Sequence, residues 1–179
     1  MSIQISNELF NYAVDIRRQL HQYPEIGFEL EKTVKLVSEE LDKIGMTYTY
    51  EYGKGSVVAE LGQGDKMIAL RADMDALPIE EKTDLPYKSK ITGKMHACGH
   101  DSHTVVLLAV AKYLKINEDK LRCKVRLIFQ PSEEGAISGA KMMVDNGVMD
   151  GVDHIICTHC ENILEVGKIG VCSGNCMSA

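Results

Sequence analysis

The sequence predicts an α/β fold, with a mostly parallel central sheet flanked by helices. Two amphipathic helical patterns fill the first 45 residues, and beyond them short apolar β-type runs alternate with helical segments. Such alternation with short connections is what parallel strands joined by crossover helices produce. The composition can build the core: 45% of the 179 residues are hydrophobic and 26% charged, which excludes a disordered tail or a disulfide-stapled miniature. By themselves, length and composition suit one complete domain.

In chain order, Leu9, Ala13, Ile16 and Leu20 recur at three- and four-residue steps, and Val34, Val37, Leu41 and Ile44 repeat the pattern before Gly45. Gln22-Tyr23-Pro24 separates the two helices. Runs 46–50, 57–61 and 67–71 read as strands, punctuated by Gly53, Gly55, Gly62 and Gly64. A Pro-containing loop over 78–95 is long enough to be functional or flexible. From Asp101, SHTVVLLAVAKYLK forms a helix apolar around most of its circumference near 105–111, as expected of a helix covered on all sides. Residues 124–129 read as a buried strand, 136–146 as a helix ending at Gly147, and 154–159 as a further strand.

The net charge is −6 with both signs interspersed, so no basic stripe exists to neutralise a nucleic-acid backbone. The N-terminus lacks the pattern of a secretory signal, and no apolar run approaches the roughly 18 residues of a membrane span. Six cysteines, at 98, 123, 157, 160, 172 and 176, crowd the second half, a poor framework for stapling this length; reduced thiols in a cytoplasmic protein fit best.

The densest chemical signal is MHACGHDSH, where His96, Cys98, His100 and His103 meet a helix start. Imidazole and thiolate suit a borderline-soft divalent ion, and Cys98 and His100 reach one site if Gly99 turns sharply. Alternatively, Asp101 or Ser102 caps the helix and the histidines are merely exposed. FQPSEEG follows an apolar strand. The side chains of Glu133 and Glu134 diverge, which suits one to metal binding and its neighbour to proton transfer, unless they only form an acidic turn at a helix start. Asp73 and Asp75 lie past the strand 67–71, and His159 past 154–158. Parallel strands gather such loops along one sheet edge, where α/β sites form, so these residues are expected in one cleft. A competing four-thiolate site, Cys157-x2-Cys160 with Cys172-x3-Cys176, has the wrong spacing in its second pair and too short a gap. Cys157 also lies in an apolar strand, where cysteine is commonly buried as a small hydrophobe.

Together the motifs resemble the N-terminal part of the metal-dependent amidohydrolases that include aminoacylases, hippurate hydrolases and auxin-conjugate hydrolases, within the zinc carboxypeptidase and aminoacylase superfamily. The matching segments are 16–33 (IRRQLHQYPEIGFELEKT), 69–81 (ALRADMDALPIEE), 93–114, 125–148 and 166–179. The resemblance implies that Cys98, His100, Glu134 and His159 hold two divalent ions, for which zinc, manganese and cobalt are chemically compatible. It implies Glu133 as general acid/base, with a metal-activated water cleaving the amide bond of N-acyl amino acids or related small amides and peptides. Asp75 falls on the supporting Asp of the H-x-D motif and joins Glu133 in the catalytic set. Asp73 replaces that motif's His, as in the Cys-Gly-His-Asp branch. His21, Pro24 and Glu25 match a structural signature; His96 and His103 match motif positions and are assigned no metal.

The resemblance also implies a zinc-peptidase-like catalytic domain incomplete at its C-terminus. Residues 1–179 would be its N-terminal segment, cut near 174–179 where an inserted domain begins. That domain, through which the full-length relatives would form homodimers, and a returning catalytic segment with a further metal-binding His would both be absent. The sheet would then expose an apolar edge. A catalytically inactive metal-binding or interaction remnant is the alternative expectation; neither nucleic acid nor membrane is an expected partner.

Overall fold

The computed structural model describes residues 5–171. Cys172, Cys176 and the segment 174–179 lie outside the described residues. Helices α1 (Asn7–Gln22) and α2 (Glu31–Ile44) form where the periodicity puts them, burying Ile16 and Leu20 from the first and Val37 and Leu41 from the second. Ser6 caps α1 by accepting the Leu9 N–H. The start of α2 is capped from a distance: the Glu25 carboxylate accepts the N–H groups of Lys32 and Thr33 and the Thr33 hydroxyl, which gives Glu25 its structural task.

The strands are β1 (Tyr48–Thr49), β2 (Val57–Leu61), β3 (Met67–Asp73), β4 (Lys124–Gln130) and β5 (His154–Cys157), ordered β1-β2-β4-β3-β5. β4, β3 and β5 run parallel, whereas β2 is antiparallel to β4 and β1 to β2. The antiparallel portion has a local cause. Only residues 62–66 join β2 to β3, and they turn across the start of β4, so the two strands flank β4 in opposite directions. Gly62 makes the turn at φ +79, and a Cβ there would lie 2.5 Å from the Cys123 carbonyl oxygen.

Strand alternation divides the core. Val57, Ala59, Leu61, Ala72, Val125, Leu127 and Phe129 face α1, α2 and α3 (His100–Ile116). Val58, Ala69 and Ile128 face Met143 of α4 (Gly139–Asp145) and Val148. Helix α4 starts later than 136 because the preceding loop folds on itself: the Ser132 hydroxyl donates to Ile137 O and Gly139 N–H to Ser132 O. The 78–95 loop is pinned by paired bonds between Leu77 and Met95 and by Lys90 N–H to Gln22 O.

Two expectations about burial are corrected. Val106 of α3 is 49% exposed, so that helix is not covered on all sides: its contacts fall on α1, α2 and the sheet, and Val106 faces away from them. Strand β5 is exposed along its whole length, Cys157 included, because among the described residues it pairs with β3 alone at the sheet's edge. Ile155 and Ile156 make that edge apolar, as expected. Among the described residues, no helix is long and apolar enough to cross a membrane.

Candidate metal centre

After β3 the chain passes through α3 into β4, and after β4 it returns over the opposite face through α4 to β5. Where two neighbouring parallel strands send their chains to opposite faces, a crevice opens beyond their carboxyl ends. The loop after β3 brings Asp75, the loop after β4 brings Glu133 and Glu134, the start of α3 brings His100, and the loop after β5 brings His159.

His100 sits at the centre, 1% exposed. Its Nε2 lies 3.8 Å from Glu133 Oε2, 3.8 Å from Glu134 Oε1 and 3.7 Å from Asp73 Oδ1, and its Nδ1 lies 3.6 Å from Asp75 Oδ1. The donor atoms of Cys98, His100 and His159 lie within 4.8 Å of one another, as do those of His100, Glu133 and Glu134. The sequence-derived set is therefore brought together, with His100 common to both groups.

Two observations test whether these residues fit a cation. Both ring nitrogens of His100 are buried without a hydrogen-bond partner, a costly arrangement for a polar group, and they are surrounded by carboxylates. Burial, then Glu134, pushes the Cys98 thiol up to about 12. Beside carboxylates the thiolate forms readily only when a cation shares the cluster. A divalent ion would take up Nε2 and the thiolate, leaving Nδ1 facing Asp75, and Cys98, His100, Glu134 and His159 offer the mixed S, N and O donors that zinc, manganese or cobalt accept.

Gly99 makes the sharp turn between Cys98 and His100. It occupies the N-cap of α3 at φ +87, without a side-chain cap. Asp101 and Ser102, proposed as caps, lie within the helix, where Asp101 Oδ1 accepts the Ser102 N–H. A Cβ on Gly99 would stand 3.3 Å from Cys160 Cβ. Gly99→Ala is expected to cost about 1–3 kcal/mol from the backbone conformation and to weaken metal binding, as read by denaturant melts and metal titration. Unchanged binding would mean that the turn does not set the spacing of Cys98 and His100.

Asp75 grips the Glu133–Glu134 loop from behind. Oδ1 accepts the Glu133 N–H at 2.9 Å and Oδ2 the Glu134 N–H at 3.1 Å, while Ser132 before them adopts φ +47. With both oxygens used by successive amides, Asp75 sets where the two carboxylates point. Asp75→Asn leaves only one acceptor and turns an NH2 toward the other amide. The expected loss is about 1.5–3 kcal/mol, together with weaker metal binding; a variant matching the parent in both measurements would exclude this role.

Asp73, past the same strand, is committed elsewhere. Its Oδ1 lies 2.6 Å from His103 Nδ1 and its Oδ2 2.8 Å from Arg71 Nη1. Burial would raise its pKa, but His103 and Arg71 prevail and hold it at about 2. A carboxylate so occupied, with a guanidinium beside it, is a poor ligand. The sequence pattern left His103 without a task, although its i, i+3 spacing from His100 already placed both rings on the helix face toward β3. It also did not reveal the cluster behind the site, in which His21 Nδ1 and Arg17 Nε each lie 2.7 Å from Asp101 Oδ2 and His21 Nε2 lies 3.3 Å from Glu81 Oε1. His96 adjoins this cluster, its pKa lowered by burial to about 4.

The chain is 45% identical to the Arabidopsis thaliana IAA-amino acid hydrolase ILR1-like 5 over 179 residues, covering 99% of this chain and 41% of the relative. It is 47% identical to the N-acyl-L-amino acid amidohydrolase of Geobacillus stearothermophilus, covering 98% of this chain and 48% of that one. The crystal structure of the Bacillus subtilis YXEP protein, described as a dinuclear metal binding peptidase of the M20 family, superposes with a TM-score of 0.90 at 40% identity, over 94% of this chain and 48% of that one. The chain thus spans under half the length of each. Residues 69–176, which contain every predicted site residue, match Peptidase family M20/M25/M40, and the chain belongs to that family.

Proposed function

We propose that the site supports metal-dependent hydrolysis of the amide bond of N-acyl amino acids or related small amides and peptides, with Cys98, His100, Glu134 and His159 as ligands and Glu133 as general acid/base. The observation that carries this reading is the unequal pair of glutamates. Both approach His100 Nε2 to 3.8 Å, but the Glu133 side chain is 43% exposed and that of Glu134 26%. The more sheltered carboxylate suits a ligand and the more open one suits proton exchange with substrate.

Divalent ions bound there supply Lewis acidity, which makes water more acidic and polarises a carbonyl. Glu133 takes one proton from water as the water oxygen bonds to the amide carbon. It returns that proton to the nitrogen as the C–N bond breaks, releasing an amine and a carboxylic acid, whose remaining proton passes to the amine to leave a carboxylate and an ammonium. Relatives named for hydrolysing N-acyl and amino-acid conjugates support the substrate class. The free Cys98, Cys123, Cys157 and Cys160 suit a reducing compartment, and we place the protein in the cytoplasm. The test is metal analysis combined with hydrolysis of N-acetyl- and N-benzoyl-amino acids. Chelator-sensitive turnover is the expected result; metal uptake without turnover would reduce the site to metal binding alone.

A further inference from the structure

We infer that His103 is a positioning residue for His159: through the peptide groups of Cys160, it fixes both the place and the tautomer of the His159 imidazole. The inference rests on the proposed reading of His159 as a ligand and concerns how that ligand is prepared.

The argument follows from which atoms can donate. The Cys160 backbone N–H donates to His103 Nε2 at 2.8 Å, so that nitrogen carries the lone pair and the ring's proton resides on Nδ1, 2.6 Å from Asp73 Oδ1. Asp73 is itself held by Arg71, and the Thr104 hydroxyl donates to its carbonyl. The His103 ring is thus locked between a buried carboxylate on β3 and the loop after β5. Among the described residues, the only other side chain bonded to the backbone of 158–161 is the His159 ring itself.

The second half of the bridge runs through the carbonyl of the same residue. His159 Nδ1 lies 2.7 Å from Cys160 O. A carbonyl only accepts, so Nδ1 carries the proton and Nε2 is left bare, 3.4 Å from Cys98 Sγ. The His159 ring stands edge-on to His103 with centroids 4.9 Å apart. Cys160 therefore has one peptide group held by His103 and the next directing the lone pair of His159 into the cluster. Orientation of a ligating imidazole through its second nitrogen is a general device; here the orienting group is a backbone carbonyl, fixed in turn by a second histidine.

The test uses Co2+ titration of the 179-residue chain, followed by the thiolate-to-cobalt absorption that Cys98 would give, in His103→Asn, His103→Gln, His159→Ala and His103→Asn/His159→Ala. Asn keeps a donor for Asp73 but is too short to reach the Cys160 N–H, whereas Gln retains an acceptor near the position of Nε2. His103→Asn is expected to weaken Co2+ binding about 10–100-fold, His103→Gln to restore much of it, and the double variant to bind no more weakly than His159→Ala alone. Without metal, exchange of the Cys160 amide hydrogen should accelerate in His103→Asn while the core amides stay protected. Parent-like Co2+ affinity in His103→Asn, or losses that add in the double variant, overturns the positioning role. Parent-like affinity in His159→Ala overturns the ligand reading, and this inference with it.

Discussion

Glu133→Gln is expected to leave metal content unchanged and to lower turnover of N-acyl amino acids by about 10²–10⁴-fold. The amide side chain keeps the shape of the carboxylate and can still accept a hydrogen bond, but it cannot take a proton from water. An amide nitrogen is a poor leaving group until protonated, so the missing transfer affects both bond formation and bond cleavage. Metal retention follows from the proposed division of labour between the glutamates: the proposed ligand set uses Glu134, and the loop is held by Asp75 through backbone amides that the substitution leaves in place. Parallel measurement of metal stoichiometry and turnover decides the matter. Retained activity at unchanged metal content would remove Glu133 from the mechanism, and lost metal would make it a ligand.

The second large effect concerns stability. Asp101→Ala is expected to cost about 3–5 kcal/mol, because removing one member of a buried ionic cluster leaves its partners uncompensated. Asp101 is fully buried one residue past His100, and it joins α3 to His21 and Arg17 of α1, 80 residues earlier in the case of His21. Chemical denaturation of parent and variant measures the loss, and a loss below about 1 kcal/mol, the range of an exposed ion pair, would mean that the cluster does not anchor α1. The pH dependence has a definite sign. The hydrogen bond to Asp101 raises the pKa of His21 from its ordinary 6.5 although burial opposes it. Its stabilising increment is therefore full below about pH 6.5 and is lost as pH rises through the elevated value. His21→Gln should remove that alkaline-side slope.

Much of this was legible because it depends on local pattern. The spacing of Leu9, Ala13, Ile16 and Leu20 gives α1 regardless of what it packs against. Because β4 is apolar and followed by acids, Glu133 and Glu134 could be placed beyond a strand end before any coordinates. Other features depend on partners distant in sequence. Nothing near Asp73 announces that His103, thirty residues on, occupies one of its oxygens, and nothing near Asp75 announces that it holds two amides almost sixty residues away. The apolar character of Val106 and of Ile155–Ile156 was plain, but periodicity describes one element's own faces, not the layer that covers them. The late start of α4 likewise reflects the closed loop around Ser132, which competes with helix for the same residues.

The exposed edge strand β5 gives the site an uneven mechanical character. Cys98, His100 and Glu134 are carried by segments beside the central strands, whereas His159 follows a strand that, among the described residues, is paired on one side only. Segments with few buried contacts open locally at much lower free energy than the core. With the proposed ligand set, opening at β5 would withdraw one donor while the other three hold their places, so ion release would begin at His159 and follow the fraying of that strand, well below the temperature at which the whole molecule unfolds.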